Sequence, residues 1–143
     1  AAAIKQAKSK GGRIIAIGTT VVRAIESAAN PDGTVCAGDG VARGRIVRET
    51  PLRVIDAILT GVHEVETSHH SLLEAFVSDR VLEDATRASL EEGFLGHEFG
   101  DVWLIWGEPR ESIGATSGRD TIRRRTHSAR VEPSGSSAMS LMK

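Results

Sequence analysis

The stretch RIIAIGTTVVRAIE, residues 13–26, decides the fold. Residues 13–17 are a short β-branched run bounded by Gly11-Gly12 before and Gly18 after, which is the pattern of a buried strand. Thr19-Thr20 then opens a helix over residues 21–29, with Val22, Ile25 and Ala29 spaced to face inward while Arg23 and Glu26 share another side. Asn30-Pro31-Asp32-Gly33 closes that helix with overlapping turn signals. Strand, tight turn and helix in this order form half of an α/β unit. A helix that starts at the carboxyl end of a strand aims its free N–H groups at whatever docks there.

Outward from this unit the pattern repeats in weaker form. Residues 1–10 read as the end of a helix in progress, and since the first residue is Ala the chain is expected to be a piece of a longer protein. Residues 34–36 and 41–47 are candidate short strands around Gly38-Asp39-Gly40, with Pro51 as a breaker. The apolar run 52–59 predicts a strand over 54–59. Residues 61–70 form a polar loop with three histidines, 71–78 a short helix, and 81–92 an amphipathic helix ended by Gly93. Residues 101–106, DVWLIW, are the most apolar strand and the expected centre of the sheet. The fold class is therefore α/β: a fragment of a larger α/β domain, with a partly parallel sheet flanked by helices.

Composition bounds the rest. The chain has 143 residues, 18 Lys and Arg against 19 Asp and Glu, 40% apolar residues, five aromatics and one cysteine. A chain of this size forms about one domain and buries roughly two thirds of its unfolded surface. The near-neutral charge excludes a surface that holds nucleic acid or lipid by bulk electrostatics, though a local basic patch remains open. Cys36 has no partner for a disulfide, which suits a reducing compartment, and no apolar run nears the ~18 residues of a membrane span. A soluble, cytoplasmic protein without a membrane partner is expected. From Gly107 onward the composition shifts to Gly, Ser and Arg with a net charge of +3, leaving −4 for residues 1–106. Residues 1–106 are accordingly read as the α/β part, and 107–143 as a disordered tail too poor in apolar residues to offset the entropy of ordering.

Several residues carry chemical promise. Thr19 and Thr20 are suited either to cap their helix or to donate to a ligand, and Arg23 and Glu26, at i and i+3, either pair with each other or serve a site. A single glycine in GTTVVR excludes a dinucleotide fingerprint, and the absence of the Lys excludes a P-loop. His63, His69 and His70 lie near Glu64, Glu66 and Glu74, but there is no HExxH, and adjacent histidines on a helix point about 100° apart, so no metal site is assigned. Cys36 has no neighbouring His that would make it a nucleophile. His63 follows an apolar segment and Gly61, where a loop can present it at the same sheet edge as Thr19, or where it serves only as a structural hydrogen-bonding group.

Four segments in order, GGRIIAIGTTVVRAIESAA, RVIDAILTGVH, the Ser-containing loop before LLEAF, and FGDVWLI, together resemble the C-terminal part of the S-adenosylmethionine:tRNA ribosyltransferase-isomerase (QueA) family of queuosine biosynthesis. The resemblance runs over about residues 1–105, and GTT-x-VR-x-x-E is its most specific part. It implies transfer and isomerisation of the ribosyl part of S-adenosylmethionine onto the aminomethyl group of a 7-deazaguanine base in tRNA, which yields epoxyqueuosine, adenine and methionine. S-adenosylmethionine is then a substrate, with no resident cofactor, and the partners are the precursor-bearing tRNA and the missing N-terminal part of the same enzyme. Members are considerably longer, with an α/β domain and an inserted β-barrel domain. A full-length member is expected to be monomeric, and the fragment inactive alone.

On the family pattern Gly18, Thr19, Thr20, Arg23 and Glu26 fall on GTT-x-VR-x-x-E, and Thr60 and His63 fall on T-N-F-H. The resemblance thus implies substrate binding by Gly18, Thr19, Thr20, Arg23 and Thr60, and proton transfer by His63 or Glu26. The chain departs where the family reads T-D-L-F-I, having Ala42-Arg43-Gly44-Arg45-Ile46, and where it reads N-F-H-L-P, having Gly61-Val62-His63-Glu64-Val65. It also has His69-His70 where two leucines normally stand. These changes leave open a divergent member with an altered acceptor, a non-catalytic binding module on the same frame, and an unrelated small α/β phosphate-binding or hydrolase domain.

Overall fold

In a computed structural model the described residues are 1–62, 67–96, 100–107 and, for the backbone alone, 139–142. Helix α1 (Ala2–Ser9) ends where Gly11 takes φ +73° and the chain turns so tightly that a side chain at Gly12 would meet the Ala7 carbonyl at 2.9 Å. Strand β1 (Ile15–Ile17) follows, then α2 (Thr19–Ser27), β2 (Ala57–Gly61), α3 (Ser68–Leu73), α4 (Asp79–Glu91), β3 (Val102–Trp106) and β4 (Met139–Met142). The α/β class expected from residues 13–26 is what the chain adopts.

The sheet order is β1-β2-β3-β4. β1 and β2 run parallel, with Ile15 opposite Ala57 and Ile17 opposite Leu59, while β3 runs antiparallel to β2, with Ile58 opposite Ile105 and Thr60 opposite Trp103. The sheet is therefore partly parallel, and DVWLIW is an inner strand as its apolar content required. β4 pairs antiparallel with β3. Within the tail expected to be mostly disordered, only Met139–Met142 fall among the described residues; 108–138 and 143 lie outside them.

Alternate residues of β1 and β3, with Ile58 and Thr60 of β2, define the buried face. Ala16, Ile58, Trp103 and Ile105 are at most 1% exposed and join Val22 of α2, Leu72 and Leu73 of α3, Phe76, Val77 and Leu82 in one core. The Trp103 indole would be costly to bury without a partner; it donates to Ser89 Oγ at 3.0 Å, and that hydroxyl donates to the Ala85 carbonyl at 2.8 Å. On the opposite face the edge strand leaves Ile15 and Ile17 exposed, and the Arg13 guanidinium lies 3.9 Å from the centre of the Trp106 ring.

Three sequence expectations are corrected between α2 and α4. Residues 34–36 and 41–47 form no strands, only an isolated antiparallel bridge from Ala29 to Val35. Gly38 and Gly44 have positive φ and Val41 is 77% exposed, so the segment turns repeatedly and touches the core only through Val35 and Ile46 without forming a ladder. β2 begins three residues later than the predicted 54, because the N–H groups of Arg53, Val54 and Ile55 are all given to the Glu26 carboxylate instead of a ladder. α3 starts at Ser68, ahead of the predicted 71, because the Thr67 hydroxyl accepts the His70 N–H at 3.1 Å and caps it. The predicted 81–92 helix is α4, which stops as expected where Gly93 takes φ +70°.

Candidate functional site

Parallel pairing brings the carboxyl ends of β1 and β2 to one edge, and that edge holds the GTT turn. Gly18 has φ +86° and ψ 152°, a conformation essentially reserved for glycine, and it caps α2 without a side chain. No atom lies within 4 Å of where its Cβ would stand, so torsion and not crowding dictates glycine here. The Gly18 N–H donates to the Leu59 carbonyl at 2.8 Å and so ties the start of α2 to the end of β2. The first intrahelical bond is from the Val22 N–H to the Gly18 carbonyl at 3.4 Å, which leaves the N–H groups of Thr19, Thr20 and Val21 without a partner within the helix.

Around that first turn the structure gathers four of the expected binding residues: Gly18, Thr19, Thr20 and Thr60. Thr19 is buried, Thr20 is exposed, and Thr60 is buried on the same strand face as Ile58. Neither threonine of the pair caps α2 through its side chain. The edge thus presents one exposed hydroxyl and a helix amino end whose partial positive charge favours anionic or carbonyl oxygens. His63, the expected neighbour on the loop after β2, lies outside the described residues.

Arg23 and Glu26 lie elsewhere, one and two turns down α2, and they do not pair with each other. Glu26 is 7% exposed; its Oε2 accepts the Arg53 N–H at 2.7 Å, and its Oε1 accepts those of Val54 and Ile55 at 2.9 and 2.8 Å. Three consecutive peptide donors on one carboxylate form an anion-binding concavity in which the anion is a side chain of the protein itself. The role expected of Glu26 as a proton acceptor meets a group whose two oxygens are both engaged in holding the segment ahead of β2.

Arg23 and Glu26 line a cleft of about 270 Å³ together with residues 42–46 and Arg53. The Arg23 Nε is buried there with no hydrogen-bond partner among the described residues. Sequence reasoning did not assign Arg43, Arg45 and Arg53 to a site. The available signal was the Arg-Gly-Arg spacing in a segment that its glycines keep irregular. Of the other histidines, His69 and His70 sit in the first turn of α3, and among the described residues no three His, Cys, Asp or Glu side chains gather as metal ligands would. Cys36 is exposed, with Sγ 3.5 Å from the Asn30 Oδ1. No helix among the described residues is long and apolar enough to cross a membrane.

Comparison with known proteins follows the same boundaries. Residues 1–105 match the family model described as "Queuosine biosynthesis protein". The chain is 34% identical over 113 residues to the S-adenosylmethionine:tRNA ribosyltransferase-isomerase of Bradyrhizobium sp. (strain ORS 278), which covers 79% of this chain and 31% of that protein. It is 36% identical over 105 residues to the protein of that name from Moorella thermoacetica, covering 73% of this chain and 31% of the relative. The match to the Natranaerobius thermophilus protein is 37% over 102 residues, or 71% and 30% of the two chains. The chain therefore spans about a third of the length of the curated relatives it matches.

Proposed function

The chain belongs to the queuosine biosynthesis protein family, and on that premise we propose that it supplies the closing third of an S-adenosylmethionine:tRNA ribosyltransferase-isomerase. One observation carries this reading: the GTT turn, the most specific part of the family resemblance, stands at the carboxyl edge of the parallel pair β1 and β2, where α/β sheets take their ligands. The donor is S-adenosylmethionine, consumed as substrate with no resident cofactor. The acceptor is the aminomethyl group of a 7-deazaguanine in tRNA. Adenine and methionine leave as the ribosyl part is transferred and isomerised. Cytoplasmic location and a monomeric full-length enzyme belong to the same proposal.

Roles follow from the chemistry of each group. The Thr20 hydroxyl and the first-turn N–H groups of α2 hold substrate oxygens, which the helix amino end favours electrostatically. Gly18 sets the turn that aims them, and Thr19 and Thr60 pack beneath. Arg23 meets an anionic part of a substrate through its guanidinium fork. The acceptor amine must lose a proton to become a nucleophile. Since both Glu26 oxygens hold peptide N–H groups, that proton goes to His63, and Glu26 positions the segment leading into β2. The remaining two thirds of the enzyme complete the site, so this chain alone does not turn over.

A chimera tests the reading. Residues 1–107 replace the corresponding part of the Moorella thermoacetica relative, and adenine release from S-adenosylmethionine is followed with precursor-bearing tRNA. Release that is abolished by His63→Ala is expected. A folded chimera that binds S-adenosylmethionine but releases no adenine refutes the proposed activity for this chain.

A further inference from the structure

The cleft beside α2 carries a charge imbalance that the turn chemistry does not use. Arg23, Arg43, Arg45 and Arg53 line it, and its one carboxylate, Glu26, already accepts three backbone N–H groups. Other arginines among the described residues are paired outside the cleft: Arg48 meets Glu74 and Asp79, while Arg80 and Arg87 meet Asp84. Arg23, Arg43 and Arg45 have no acidic partner among the described residues, Arg43 and Arg45 are exposed, and the buried Arg23 Nε has no acceptor. A guanidinium with a buried and unused N–H is a poor structural element but a good ligand donor, because an incoming oxyanion supplies the missing acceptor. Such a local excess of cations is notable in a chain whose overall charge is −1.

We propose that this cleft is a phosphodiester-binding site that takes the backbone of the RNA substrate. A single carboxylate, such as that of a methionyl group, needs one guanidinium fork. Arginines on α2 and on the neighbouring 42–46 segment suit instead a chain of phosphates with repeated charge. Arg43 and Arg45 are separated by Gly44, at φ +86°, so the backbone of this segment bends between its two cations. The inference rests on the tRNA acceptor proposed above, and it adds where on the protein the RNA backbone lies: beside α2, away from the GTT turn, so that base chemistry and backbone grip are separate.

The test uses the full 143-residue chain and a fluorescein-labelled tRNA, with binding read by fluorescence anisotropy over a salt series. Wild-type affinity is expected to fall steeply with salt. The double variant Arg43→Ala with Arg45→Ala should weaken binding about tenfold or more and flatten the log–log salt slope by about 1.5, as two lost phosphate contacts require. Arg43→Lys with Arg45→Lys, which keeps the charge, should restore most of that slope. Arg80→Ala with Arg87→Ala, an equal loss of charge on α4, should leave the slope unchanged. Equal weakening by the two alanine pairs, or no weakening by the first, overturns the site, provided circular dichroism shows both pairs folded. Failures are distinguishable: if the chimera releases adenine with an unchanged KM for tRNA after loss of Arg43 and Arg45, the cleft assignment falls and the activity stands. If no chimera releases adenine while RNA binding still depends on the two arginines, the activity falls and the cleft stands.

Discussion

Removing the Glu26 carboxylate should separate the structural from the chemical reading of this residue. The carboxylate holds three peptide N–H groups at 2.7–2.9 Å, two of them from residues at most 1% exposed, Val54 and Ile55. In Glu26→Ala these two donors lose their acceptor with no water at hand, at about 1–3 kcal/mol each, while the half-buried Arg53 N–H can turn to solvent. The expected loss is therefore about 4 kcal/mol, a large share of the 5–15 kcal/mol by which domains of this size are stable. In Glu26→Gln one oxygen still serves Val54 and Ile55, but the amide NH₂ now faces the Arg53 N–H. One charge-assisted bond is lost, at about 1.5–3 kcal/mol. Urea unfolding of the two variants against the parent gives the ordering, and amide hydrogen exchange by NMR gives the location. Arg53 alone should lose protection in the Gln variant, and residues 53–55 together in the Ala variant. Equal stability of parent and Ala variant, or retained protection at 54 and 55, would refute the staple and return Glu26 to the list of groups free for proton transfer.

Two further outcomes follow from other observations. Gly18→Ala, which forces a side chain onto φ +86° and ψ 152°, should cost about 1–3 kcal/mol in urea unfolding and shift the NMR signals of Thr19, Thr20 and Leu59 before those of α4; unchanged stability would show that the turn tolerates other conformations. The exposed Asp32 carboxylate is held below its ordinary value of 3.8, first by the Thr34 hydroxyl and then by the Thr34 N–H. A lowered folded value means that this turn gains its support above pH 3.8 and loses it as pH falls through the lower folded value. Thr34→Val should move the Asp32 carboxyl ¹³C titration upward toward 3.8, and an unmoved titration would reassign the cause to the backbone alone.

The parts of the fold legible in the sequence were those governed by local periodicity. RIIAI, the helix after GTT, the 79–91 helix and DVWLIW each declare themselves by apolar spacing and a bounding glycine, and each stands within a few residues of where that pattern puts it. The errors arose where a distant group decided the matter. Val54 and Ile55 look like strand because they are apolar, yet Glu26, 28 and 29 residues earlier, takes their N–H groups, and no local pattern encodes those bonds. Residues 34–47 contain β-branched residues but pair only through the single bridge of Val35 with Ala29, so glycine conformations prevail over propensity. For the site the same division holds. Parallel pairing makes Gly18, Thr19, Thr20 and Thr60 neighbours, which only the family resemblance had grouped, whereas the arginine cleft needs the fold of an irregular segment against α2.

The two anchors of α2 explain how the edge and the cleft are kept in one geometry. At the amino end the Gly18 N–H binds the Leu59 carbonyl near the end of β2; toward the carboxyl end Glu26 binds the residues just ahead of β2. Helix and strand are thus pinned at both ends of their contact, and Val22, fully buried between the two anchors, fills the space between them. A hydrophobic contact alone is non-directional and would let α2 slide along the sheet. The two polar anchors fix its register against β2, and with it where the threonine turn stands at the sheet edge and where Arg23 stands in the cleft. Loss of Glu26 frees only the cleft end while the Leu59 bond still holds the turn, so the arginine cleft should lose its shape before the edge does.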